Sequence, residues 1–276
     1  MSSSGVVVKL GFSNEVIDLA ERYNIKYTDI KLEGPVPNNS YTQFSGSNGR
    51  RLVNSNMDAF GIMFNFRVYT SGLDDSVLAE IELRRLFFKE SEFYFFYSKE
   101  PGKRFKVSVS AFDIERSASF ILKVSAELSV DSGHSESIAS TLSNFSLDES
   151  WQFSQGLVSE DYEYTHQTSR FTIFNAGDFT IDPRENYLKI KIEGMSDGNL
   201  TVFNATTGER FIYRGSLNSV SGETLTLDGV YPLKNGIHCG IDTNHGLISL
   251  VPGENKIEIS NASRIKTAWD FRFMYK

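Results

Sequence analysis

The sequence is short of every residue type that would announce a disulfide framework, a metal centre or a membrane span. A single cysteine, Cys239, excludes an intrachain disulfide and any metal site built only from cysteine. No stretch approaches the roughly 20 apolar residues that a membrane helix requires. The opening MSSSGVVVKLGF lacks the basic flank and long apolar core of a secretory signal. A chain made and folded in cytosol is therefore expected. Positive charge is in deficit: a net charge of −7 argues against nucleic-acid binding by the chain as a whole. Neither the phosphate-cradling G-x-x-x-x-G-K-[ST] nor the zinc-binding H-E-x-x-H occurs.

Groups able to do chemistry are few and scattered. The histidines are His134, His166, His238 and His245. His238, Cys239, Asp242 and His245 are ligand types that zinc takes, but their spacing fits no recurring zinc pattern. Surface histidines beside a buried cysteine account for them better. Glu160, Asp161 and Glu163 are residue types that could supply a glycosidase pair, but three acids within four residues more often make a solvated loop. Trp151 and Trp269 are expected to pack in a core rather than to form a sugar platform. No cofactor, metal or catalytic residue is assigned, and the chain reads as non-enzymatic.

What the sequence does hold is aromatic residues, with 22 Phe and 12 Tyr, which favour strands. The one clear helical stretch is DDSVLAEIELRRLFFKES at 74–91. Asp74 and Asp75 stand where an N-cap is wanted. Acids lie early and Arg84, Arg85 and Lys89 late, as the macrodipole favours. Glu80 can pair with Arg84, and Glu82 with Arg85. At about 100° per residue, Val77, Leu78, Ile81 and Phe88 form one apolar stripe. Leu83, Leu86 and Phe87 fall on the opposite side. A helix apolar on two faces needs cover on both: one face from a sheet of its own domain, the other from more of the fold or a neighbouring subunit.

Along the chain, residues 15–33 read as mostly strand, ended by Pro35 and Pro37. The polar stretch 38–56 reads as a long loop or arm, with Arg50 and Arg51 in a solvated turn. Strands are expected at 60–68, Phe93–Tyr97, 105–111 and 117–128, with FYFFY at Phe93–Tyr97 buried on both faces. The serine- and acid-rich 131–150 marks a domain boundary. Beyond it, short runs at 187–192, 200–203, Arg210–Tyr213, 224–227, 248–251, 256–259 and 267–274 alternate with turn pairs such as Asn235-Gly236 and Pro252-Gly253. That spacing predicts an all-β sandwich or barrel. The expectation is two domains, 1–149 and 150–276, mainly β.

The order of landmarks resembles that of the distal tail (Dit) proteins of long-tailed phages, the siphophage tail-component family. In the first half it runs through EVIDL at 15–19, Pro35 and Pro37, SGSNGR at 45–50, the helix, EFYF at 92–95 and PGKRFKV at 101–107. In the second it runs through WQFSQGL at 151–157, FNAG at 174–177, LKIKIEG at 188–194, LTLD at 225–228 and LVPGENKI at 250–257. Each piece is a common turn or strand; the specificity lies in their order. Ser154 departs from the pattern, where glycine is expected.

The resemblance implies an N-terminal β domain with one helix that assembles into a homo-hexameric ring, and a C-terminal galectin-like sandwich. It implies a non-catalytic hub at the distal end of a tail, meeting the tail tube protein, a tail-associated lysin or tail tip protein, and receptor-binding proteins. On that basis Leu83, Leu86 and Phe87 are the candidate subunit interface, and 38–56 is a candidate arm that clasps the neighbour. The alternative it leaves open is a carbohydrate-binding module recognising host cell-wall polymer.

Overall fold

The computed structural model describes residues 7–143 and 162–276, and its contacts divide the chain into two compact units, Met1–Glu136 with Lys276, and Ser137–Tyr275. The division therefore falls thirteen residues before the expected 149/150 (149 − 136). The reason is local: Ser137 and Thr141 donate their backbone N–H to Phe273 and Phe271, which ties this serine-rich stretch to the second unit. The strand β10 (Ser135–Ser137) straddles the division.

In the first unit one antiparallel path runs β2-β1-β7-β8-β9-β6-β3. Its strands are β1 (Val8–Gly11), β2 (Val16–Asp18), β3 (Ile25–Leu32), β6 (Phe60–Tyr69), β7 (Phe93–Tyr97), β8 (Lys103–Ala118) and β9 (Ile121–Val130). The long β8 pairs with β7 near its start and with β9 thereafter, with a bulge between Val109 and Ala111. A bulge bends the strand and increases its twist, so one strand serves both ends of the path. Between β2 and β3 a single turn, α1 (Leu19–Arg22), is capped by Asp18, whose Oδ1 accepts from Ala20 N at 2.9 Å.

Alternation sets the inner face. Phe60, Ile62, Phe64, Phe66 and Val68 of β6 are buried, as are Leu122, Val124, Ala126, Leu128 and Val130 of β9. The FYFFY strand is buried on one face only: Phe93 and Phe95 point into the core, while Tyr94, Phe96 and Tyr97 are half-buried. A run of consecutive aromatics cannot by itself reveal which neighbours the outward set has.

The second helix, α2 (Leu73–Phe87), is shorter than the periodic stretch. Its N-cap is Gly72, without a side-chain bond, so Asp74 and Asp75 lie in the first turn, where they face the positive end of the helix dipole. The buried Ser76 hydroxyl donates to Leu73 O at 2.7 Å. Glu80 bridges Arg84 at 3.0 Å and Arg116 of β8 at 3.2 Å, and among the described residues no Glu82–Arg85 pair forms.

The stretch expected to be a loop or arm is a hairpin. Among the described residues, strands β4 (Val36–Thr42) and β5 (Arg51–Asp58) pair only with each other, with a register shift at Ser40/Tyr41. Asparagine and serine are poor strand formers, which is why polarity alone suggested loop.

The second unit is a two-sheet sandwich. One sheet orders β11 (Thr165–His166), β21 (Ser263–Phe271), β13 (Leu188–Ser196), β17 (Leu225–Asp228), β18 (Tyr231–Lys234) and β19 (Ile237–His238), with β16 (Leu217–Asn218) on β13. The other orders β12 (Arg170–Asn175), β20 (Gly253–Ser260), β14 (Leu200–Asn204) and β15 (Arg210–Tyr213). Ile190, Ile192, Trp269 and Phe271 from the first meet Ile173, Val202, Phe211 and Ile257 from the second in one core.

Three buried asparagines pin the loop that enters β20. Asn255 donates to Val251 O at 2.8 Å and accepts from Val251 N at 2.9 Å. Asn204 donates to Ser249 O at 2.8 Å, and Asn175 to Leu250 O at 3.0 Å. Buried polar groups that find such partners fix one loop conformation instead of destabilising the core.

Candidate assembly site

The two apolar faces of α2 are real, and the structure reverses the assignment of Leu83, Leu86 and Phe87. These three are buried in the chain's own core, with Phe87 and Leu83 fully enclosed. The Phe87 ring lies 4.8 Å from Phe112 and between 6.3 and 6.5 Å from Phe64, Phe66 and Phe93. They cannot reach another subunit while the unit is folded. The face left open carries Leu73, Val77, Leu78, Ile81 and Phe88, of which Leu78 and Phe88 are about 60% exposed. Periodicity places residues on a face but does not say which face the sheet takes.

The hairpin is the second unpartnered apolar surface. Val36, Tyr41, Phe44, Leu52 and Val53 are all exposed, Val53 at 65%. A two-stranded hairpin is marginal in water without packing. Single exposed leucines are ordinary, whereas grouped large apolar side chains on isolated elements mark contact surfaces. The sequence offered only a weak signal for these residues, because Leu52 and Val53 sit in a run of Asn and Ser.

Charge differs between the two surfaces. Asp74, Asp75 and Glu80 crowd the first half of α2, Glu82 follows and Arg84 and Arg85 lie in its last turn, while the hairpin tip carries the adjacent Arg50 and Arg51. The Arg50 guanidinium lies 3.6 Å from the centre of the Tyr41 ring, which holds it beside the strand. Beyond the helix, Lys89 pairs with Glu15, and that hydrogen bond holds the Glu15 carboxyl below its usual range.

The chemical candidates are not assembled into a site. Cys239 is buried and its thiol is pushed up by burial. The His238 ring packs edge-on against Tyr231, and His245 sits in the left-handed region at φ 54°. Among the described residues no group of three or more His, Cys, Asp or Glu is placed to hold a metal ion. His134 Nδ1 contacts Ser132 O at 2.8 Å, and His166 Nε2 contacts Glu163 O at 2.9 Å.

Trp269 is fully buried, with Nε1 donating to Thr267 Oγ1 at 3.2 Å, so it offers no sugar platform. Trp151, Glu160, Asp161 and Ser154 lie outside the described residues. Gly194-Met195-Ser196-Asp197-Gly198 spells G-x-S-x-G. A nucleophile elbow needs a strand-to-helix turn with an exposed serine. Ser196 instead ends β13, is buried, and donates to Asn261 O at 2.6 Å. It is structural.

Residues 20–130, which span the hairpin, α2 and most of the first unit, match the family described as phage tail protein RIFT-related domain. Across the whole chain the fold is that of the Dit protein of phage SPP1, whose structure is described as a paradigm of the hub adsorption apparatus in phages infecting Gram-positive bacteria. Residues 20–130 thus resemble a phage tail protein domain, and the chain shares the fold of a distal tail protein. The match to SPP1 Dit has a TM-score of 0.68 and 11% identity, over 97% of this chain and 99% of that one. At that identity the likeness is one of fold. The baseplate of phage P2 in its activated conformation also matches over 98% of each chain, at 10% identity and a TM-score of 0.45. No curated protein matches.

Proposed function

We propose that the chain is a structural virion protein, a distal tail protein that forms a hexameric hub between the tail tube and the baseplate or adsorption apparatus. The observation that carries this reading is the pair of unpartnered surfaces in the phage tail domain: the outer face of α2 and the apolar hairpin β4–β5. Two different surfaces on one protomer make a heterologous head-to-tail contact, and such a contact closes into a ring when its rotation closes. The acids of α2 and the arginines of the hairpin tip favour opposite partners in that contact. The interface moves from Leu83, Leu86 and Phe87 to Leu78, Ile81 and Phe88, with Val53 and Phe44 on the hairpin.

The protein works without catalysis and without a cofactor. Its partners beyond its own copies are the tail tube protein, a tail-associated lysin or tail tip protein, and receptor-binding proteins; it is made in the host cytoplasm. No helix among the described residues is long and apolar enough to cross a membrane. The test is the mass of the full-length protein in solution by light scattering, with negative-stain images of the same fractions. Rings of six around a central hole are expected, and Leu78→Asp with Phe88→Asp is expected to leave folded monomers. A monomer at every concentration, or rings that persist in the double variant, would count against the reading.

A further inference from the structure

The sequence contains two Asn-Gly steps, Asn48-Gly49 and Asn235-Gly236. At such a step no Cβ shields the backbone nitrogen that follows the asparagine. The fold treats the two steps differently. Asn235 lies at φ 52° in the turn between β18 and β19. Its Oδ1 accepts from Thr224 N at 2.8 Å, and its own N–H donates to Thr224 O at 2.9 Å. The side chain is engaged by the neighbouring strand and is not free to turn onto the Gly236 nitrogen. Asn48 stands at the exposed tip of the hairpin, and among the described residues no hydrogen bond engages its side chain. Gly49, at φ 78°, and Gly236, at φ 81°, alike have nothing within 4 Å of the place a Cβ would occupy, so the difference between the steps lies in the asparagine side chains. The step that chemistry makes vulnerable is thus shielded at one site and left open at the other.

We propose that Asn48 is a self-modification site, converted without an enzyme to aspartate and isoaspartate. Solvent base removes the Gly49 amide proton, and the nitrogen attacks Asn48 Cγ. A new C–N bond closes a succinimide, and the side-chain nitrogen leaves as ammonia. Water then adds to either imide carbonyl, and cleavage of that C–N bond gives aspartate or, by the other route, isoaspartate. Nothing is oxidised or reduced, and water is the one co-reactant. Either product sets a carboxylate beside Arg50-Arg51, and the isoaspartate route also lengthens the backbone at the tip by one methylene.

The consequence rests on the ring reading, although the chemistry does not. A free subunit accumulates negative charge at the tip that we assign to contact with the acidic half of α2, so its capacity to assemble decays with time. A subunit whose tip is already seated is protected.

The test is to hold the purified full-length protein at mildly alkaline pH and map its peptides over time by mass spectrometry, with isoaspartate scored separately. Conversion at Asn48 is expected to outpace Asn235 by about tenfold or more, a barrier difference of about 1.4 kcal/mol. In urea the two steps are expected to convert alike, because the fold no longer distinguishes them. Gly49→Ala is expected to slow Asn48 alone. Equal rates in the folded protein, or an Asn48 no faster than Asn38 and Asn39, would overturn the proposal. Light scattering of Asn48→Asp separates the two claims: weakened rings support the assembly clock, and rings as firm as the parent's remove it while the peptide map still decides the chemistry. A parent protein that forms no ring sinks the hub reading instead.

Discussion

The sharpest perturbation pits the two faces of α2 against each other. Phe87→Ala removes a fully buried ring that touches Phe64, Phe66, Phe93 and Phe112, so the site is braced by four other rings and has little freedom to collapse. Truncating a buried phenylalanine costs about 3–5 kcal/mol, the transfer of the ring plus the cavity it leaves. With a urea slope of about 2 kcal/mol per molar, the midpoint should fall by about 1.5–2.5 M. Leu78→Ala removes an exposed side chain and replaces it with the best helix former, so its effect on the monomer should stay within about 0.5 kcal/mol. The two units can be followed separately, because both tryptophans, at 151 and 269, lie outside Met1–Glu136. Circular dichroism of the β-rich whole should therefore show an early transition in Phe87→Ala that tryptophan fluorescence does not share. The measurement belongs on dilute, monomeric fractions, since assembly would add its own stabilisation. If Leu78→Ala lowers the midpoint as far as Phe87→Ala, the outer face is not free, and the assembly site has been misplaced.

Three further outcomes follow from the second unit. Asn255→Ala strips partners from Val251 and should cost about 2–3 kcal/mol, read as a lower urea midpoint in tryptophan fluorescence; no change would mean the loop is held otherwise. At Gly246→Ala a Cβ would stand 2.0 Å from Arg210 O, a backbone atom that cannot move aside, so a loss of about 3 kcal/mol or more, or of soluble expression, is expected. Glu223 is held below its usual carboxylate value of 4.5 by Lys234 and by the Asn218 N–H. Because its folded value is depressed, its contribution is present above 4.5 and fades as pH falls through the lower folded value. Thermal melts across that acid range should flatten in Glu223→Gln, and an unchanged slope would show the pair contributes nothing.

Much of the architecture was legible because it rests on period. The alternation of residues 60–68 fixed the inner face of β6, and the spaced turn pairs after 187 announced a sandwich. The helix was legible as two-faced for the same reason. Which face the sheet takes was not, since both carry large apolar residues and the decision depends on Phe64, Phe66 and Phe112 arriving from distant strands. The hairpin was hidden for the opposite reason: its strands are built from Asn and Ser, so neither propensity nor alternation marks them, and their pairing is visible only in three dimensions. The boundary was displaced because Ser137 and Thr141 look like linker residues in composition, yet their backbone joins the edge of a sheet.

That hidden hairpin also explains why the first unit reads as incomplete. Among the described residues, strands β4 and β5 pair with nothing else, and their apolar residues find no cover. A sequence selected only for a stable monomer would gain by shortening this element or by replacing Val53, Leu52 and Phe44 with charge, as edge and surface strands commonly do. The outer face of α2 poses the same problem, with Leu78, Ile81 and Phe88 open to water where glutamate or lysine would serve solubility better. Two such surfaces of different shape, with acids in the first turns of α2 on one and Arg50 and Arg51 on the other, are mutually compatible. Pairing the hairpin tip with itself would set Arg50 and Arg51 against their own copies, and pairing either surface with itself would stop at a dimer. Pairing one with the other leaves a free copy of each at the two ends of any open chain, and only ring closure buries them all.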